Sequence, residues 1–128
     1  LQAQLSQIAA IAAGGAAGAV MRFWVSNGVY SLLGRGFPWG TLVVNVLGSL
    51  IMGLSYVLLL ERMSVAPEWR AALMIGLLGA FTTFSTFSIE TFNLLESGDW
   101  PKAVLNMVFS VLACVLAVWI GVQAGRQL

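Results

Sequence analysis

Residues 76–90, GLLGAFTTFSTFSIE, decide the fold of this chain. Gly76, Gly79 and Ala80 lead into five hydroxyl residues, Thr82, Thr83, Ser85, Thr86 and Ser88, interleaved with Phe81, Phe84 and Phe87 and closed by Glu90. The stretch is too polar to face lipid and too apolar for a loop. It belongs inside protein, where something small and polar can bind or pass.

The chain around it is oily. Of 128 residues, 59% are hydrophobic and 9% charged, and the mean hydropathy is +0.92. A soluble domain of this size needs more surface charge, so an all-α integral membrane protein is expected. A spanning helix takes about 20 mostly apolar residues, which leaves room for four helices and no extramembrane domain. The chain has no His, and its one cysteine, Cys114, lies in an apolar run as a packing residue, so no metal site of the nitrogen and sulfur kind is expected. A net charge of +1 without a basic block argues against a nucleic-acid partner. The expected partners are a second copy, lipid and a small solute, with no protein substrate and no enzymatic role.

The spans are expected at about 5–33, 40–60, 69–95 and 101–125. No Lys or Arg precedes the first apolar run, so a retained helix is expected there rather than a cleaved signal. Gly14, Gly15 and Gly18 suit close helix packing. Arg22 is costly at bilayer depth; it snorkels, pairs structurally or attracts anions. Asn45, in the second span with Thr41 and Ser49 one turn either side, either bonds a neighbouring helix or faces a cavity. In the fourth span, Asn106, Ser110 and Cys114 recur every four residues and form one inward stripe.

Four spans put Arg62, Arg70 and Arg126 on one side of the membrane, and Arg35 and Lys102 on the other, with Arg22 as a third if it reaches that interface. This near balance gives the positive-inside rule nothing to act on. Insertion both ways, and from it an antiparallel homodimer, is the expectation.

On a helix, Phe84, Phe87 and Glu90 share a face, and Thr82, Thr86 and Glu90 flank it. Ring edges are electropositive and hydroxyls donate hydrogen bonds, so together they can line an anion's path; packing is the plainer role for such a phenylalanine stripe. The glycines before the hydroxyls also allow a helix break at Gly79 to Thr82, whose freed carbonyls suit a small cation such as Na+. Glu90 is a single intramembrane carboxylate, either functional or a paired structural group.

Three segments, GGAAGAVMR (14–22), GTLVVNVLG (40–48) and GLLGAFTTFSTFSIE (76–90), make the chain resemble the Fluc (CrcB) family of small fluoride channels. The resemblance implies an antiparallel, dual-topology homodimer with two pores and a Na+ at the dimer centre. It also implies passive, fluoride-selective export across the bacterial inner membrane, conferring fluoride resistance. Phe84 and Phe87 match the family's phenylalanine box and Asn45 its pore asparagine. Thr41, Ser85, Thr86 and Ser110 match the polar track, Glu90 a pore-side glutamate and Arg22 the first-helix arginine. Gly79 and Thr82 match the break whose carbonyls bind Na+. Ala80, Phe23 and Cys114 depart from residues common in the family. The alternative is a proton-coupled small multidrug exporter, a class that works through a first-helix carboxylate this chain lacks.

Overall fold

The computed structural model describes residues 1–128, and its regular structure is entirely helical. Helix α1 is Gln2–Leu33, α2 Trp39–Arg62, α3 residues 67–81, α4 Phe84–Glu96 and α5 Trp100–Gln127. With α3 and α4 taken together as Pro67–Glu96, four units are long and apolar enough to cross a membrane. Pro67 and Pro101 open α3 and α5, where the missing amide would have had no helical acceptor. Gly34 ends α1 at φ 81, a conformation that side chains with a Cβ rarely adopt, and its amide donates to the Tyr30 carbonyl at 2.8 Å. Tyr56–Arg62 in α2 and Ala71–Leu77 in α3 are wound as π-helix.

Between helices in lipid no hydrophobic gradient drives association, so close backbone contact has to hold them together. Two seams of glycine provide it. Where α1 meets α3, a Cβ on Gly14 would strike the Ala72 carbonyl and one on Gly18 the Leu77 carbonyl. Where α2 meets α5, Gly53 lies against the Val118 carbonyl and Gly121 against the Leu50 carbonyl. The interior is small, with Val44, Val57 and Asn106 as its most enclosed large side chains. Phe23, Trp24, Leu112, Val115 and Trp119 point outward, as suits a surface whose solvent is hydrocarbon.

The ends are tied by polar contacts. Arg126 Nη2 lies 3.2 Å from Glu61 Oε2, and Arg62 donates to the Arg126 carbonyl. At the opposite end Lys102 Nζ lies 3.6 Å from Asp99 Oδ2 and donates to the Gly36 carbonyl at 3.1 Å. Arg22 reaches neither end, because its Nε donates to the Ala80 carbonyl at 2.9 Å. The Lys and Arg balance between the ends is therefore Arg62, Arg70 and Arg126 against Arg35 and Lys102.

Candidate functional site

The helix is interrupted between α3 and α4. Thr82 (φ −93, ψ 160) and Thr83 (φ −154, ψ 123) are extended, and Phe84 starts the next helix. The interruption thus falls at the far end of the expected range from Gly79 to Thr82: Gly79 is still helical, and both extended residues are threonines. Glycine freedom is not its cause. Side chains from other elements hold it open.

Asn45, on α2, clamps the Thr83 backbone from both sides. Its Oδ1 accepts the Thr83 amide at 2.7 Å, and its Nδ2 donates to the Thr83 carbonyl at 3.0 Å. In an unbroken helix that amide would go to Gly79, so the Gly79 carbonyl loses its ordinary donor. Thr83 Oγ1 caps α4 by accepting the Thr86 amide at 3.2 Å and donates to Thr86 Oγ1 at 3.1 Å. Thr82 Oγ1 donates back to the Leu78 carbonyl at 3.0 Å. Arg22 takes the Ala80 carbonyl, as described above. That contact ties α1 to the break.

Beside the break lies an open cleft of about 390 Å³, lined in part by Asn45, Thr82, Thr83, Phe84, Phe87 and Ser110. Phe87 is 9% exposed and Phe84 77%, with ring centroids 5.4 Å apart and planes tilted by 36°. The two rings are neighbours, yet they do not share one environment: Phe87 floors the cleft and Phe84 stands at its mouth. Cys114 lines the same cleft below Ser110.

A buried polar chain backs it. Ser110 Oγ donates to Asn106 Oδ1 at 3.1 Å, Asn106 Nδ2 to Thr91 Oγ1 at 2.9 Å, and Thr91 Oγ1 to the Phe87 carbonyl at 2.8 Å. These bonds satisfy an asparagine that would otherwise be costly at this depth. Neither Thr83, Thr91 nor Asn106 stood among the sequence-derived site residues. The four-residue recurrence through Ser110 marked the Asn106 face, whereas nothing local marked Thr91 as its partner.

Thr41 and Glu90 lie apart from the cleft. Glu90 borders a second pocket of about 310 Å³ at the α1–α2 loop, with Tyr30, Arg35, Asn93 and Ser97. Thr41 is buried beside it, with its Oγ1 3.4 Å from Tyr30 Oη. Thr86 is half-buried on the stretch of α4 that leads from the break toward Glu90, and Ser85 is exposed, 3.4 Å from Thr83 Oγ1. The residues expected along one path therefore fall into two groups at different depths. Nothing local marked Tyr30, whose partner Glu90 is 60 positions away.

The family model described as "CrcB-like protein, Camphor Resistance (CrcB)" matches residues 9–122. The chain belongs to the CrcB family. Its curated relatives in the family include a protein of Magnetococcus marinus named "Fluoride-specific ion channel FluC", 58% identical over 94% of this chain and 98% of the relative. A relative of the same name from Geobacter sulfurreducens is 50% identical over 97% of this chain and all of its own length. A third, from Methylococcus capsulatus, is 56% identical over 93% of this chain, which spans about half (52%) of that relative's length. With four apolar spans and bacterial relatives throughout, this member of the family is a multi-pass bacterial membrane protein.

Proposed function

We propose that the chain is a fluoride-selective channel that lets cytoplasmic fluoride out passively, and that it works as an antiparallel homodimer with two pores. The name shared by its relatives supports the ion. One feature of the fold carries the route: the cleft beside the helix break, where Phe84 and Phe87 meet hydroxyl and amide groups.

The break separates two kinds of helix end. The end of α3 presents carbonyls and suits a cation, while the start of α4 carries partial positive charge and suits an anion. Fluoride entering the cleft gives up water and meets ring edges and the spare N–H of Asn45 in its place. None of these is a fixed full charge. Weak sites in series let an anion leave as readily as it enters. HF that crosses the membrane ionises inside, and an inside-negative potential drives the anion out by about 2.3 kcal/mol per charge for roughly every 100 mV.

Phe84, 77% exposed, and the open side of the cleft need a wall that this chain does not supply. A second copy in inverted orientation supplies one, in keeping with the balanced end charges. Between two breaks, the carbonyls of Gly79 and Thr82 would hold Na+. Oxygen donors suit such a hard cation, and both carbonyls have lost their helical amides, that of Gly79 to Asn45 and that of Thr82 because the Thr86 amide goes to Thr83 Oγ1. Bound there, Na+ would supply positive charge between the subunits.

Fluoride efflux from proteoliposomes, followed by a fluoride electrode with chloride as control, tests the function. Equal chloride flux would overturn selectivity. A C-terminal reporter found on one side only would overturn dual topology, and thermal stability unchanged between Na+ and a bulky organic cation would overturn the Na+ site. No observation favours the multidrug exporter, since α1 carries no carboxylate.

A further inference from the structure

Tyr30 has no part in the route described so far, yet three helices meet on its hydroxyl. Tyr30 Oη, from α1, donates to Glu90 Oε2 of α4 at 2.8 Å. The same oxygen accepts the Thr41 amide of α2 at 3.4 Å and lies 3.4 Å from Thr41 Oγ1. The ring is held as firmly as the hydroxyl. It packs on Gly40, where any Cβ would strike it, and the Arg35 guanidinium stands 4.4 Å over its centroid. A cation over the ring draws electron density from the phenol and makes its O–H a better donor.

Glu90 Oε1, by contrast, is buried and has no hydrogen-bond partner. Hydroxyls lie near on two sides: Thr41 shares Tyr30 with Glu90, and Thr86 is one turn earlier on the same helix face. An unrestrained carboxyl group would turn to such donors and bind them. These are the donors an anion needs when it sheds water. The carboxyl group and fluoride are therefore competitors for one set of hydroxyls, and whatever restrains the carboxyl leaves that set to the ion.

We propose that Tyr30 is a positioning residue of the anion route. It holds Glu90 through Oε2 and so keeps the carboxyl from capturing the hydroxyls between the loop-side pocket and the cleft. The pocket of about 310 Å³ at the α1–α2 loop is then the antechamber of the route. This proposal rests on the fluoride-channel function proposed above.

The test is Tyr30→Phe, which removes the hydroxyl and keeps the ring on Gly40. Loss of a hydrogen bond to an ionisable group predicts fluoride flux about tenfold lower, while Tyr56→Phe, at the other end of the molecule, conducts as wild type. The infrared carboxyl band of Glu90, identified by its absence in Glu90→Gln, shifts in Tyr30→Phe. In a Glu90→Gln channel that still conducts, adding Tyr30→Phe lowers flux less than twofold, because the competing carboxyl is gone. A merely structural tyrosine would lower flux by the same factor in both backgrounds, and that result overturns the proposal. So does flux in Tyr30→Phe above half of wild type, or an unmoved band. If Tyr30→Phe does not yield folded protein, Glu90→Asp draws the carboxyl back from Tyr30 by one methylene, and wild-type flux there overturns the proposal equally. If the wild-type protein passes no fluoride, the channel function fails, and the infrared band still decides whether Tyr30 holds Glu90.

Discussion

Replacing Asn45 by alanine should destabilise the protein out of proportion to the few atoms removed. The side chain satisfies both backbone groups of Thr83, at 2.7 Å and 3.0 Å, in a residue that has neither helical partner nor full exposure. Each buried backbone group left unpaired costs about 1–3 kcal/mol. Thr83 is only half-buried, so the pair together is worth about 2–4 kcal/mol. Reversible unfolding in mixed micelles, read by the fluorescence of the five tryptophans, measures the loss. Asn45→Asp provides the comparison: it keeps an acceptor for the Thr83 amide and sets an oxygen against the Thr83 carbonyl, so it should be no more stable than the alanine variant. Flux should fall in both, because the break opens onto the cleft. If Asn45→Ala unfolds within about 0.5 kcal/mol of wild type, less than a single net hydrogen bond, the break is held by something other than this clamp.

Phe87→Ala should cost about 3–5 kcal/mol, the range for a buried phenylalanine, whereas Phe84→Ala, whose ring is 77% exposed within one copy, should cost less; both should lose fluoride flux, and Phe84→Ile and Phe87→Ile with intact flux would place the route elsewhere. Gly18→Val drives a side chain into the Leu77 carbonyl and should abolish folded protein on size exclusion, while Gly28→Ala, which meets open space, should elute as wild type. Asn106→Ala leaves Thr91 and Ser110 without their shared partner in a site 2% exposed, and should lower stability by about 1–3 kcal/mol in the same unfolding assay.

Hydropathy alone set the number of membrane-crossing units, because an apolar run long enough to span hydrocarbon has few other uses. The glycine spacings announced close packing for the same local reason, since a helix places residues three and four apart on one face. The polar stripe through Asn106 and Ser110 was legible on that basis as well. Partnerships across the fold were not. Glycines pointed to a break within Gly79 to Thr82, but which residues are extended, Thr82 and Thr83, follows from an asparagine 38 positions away that takes the Thr83 backbone. Three-residue spacing put Phe84 and Phe87 together, yet one is buried and the other exposed, since only the packing of α2 and α5 on α4 determines where the wall ends. Tyr30 and Glu90 are joined across 60 residues with nothing in either neighbourhood to announce it. A four-helix membrane protein with a polar seam, and its family, can thus be read from the order of residues along the chain. Tertiary structure decided which groups hold that seam open and which are left free, because each such choice depends on a donor and an acceptor brought together from different helices.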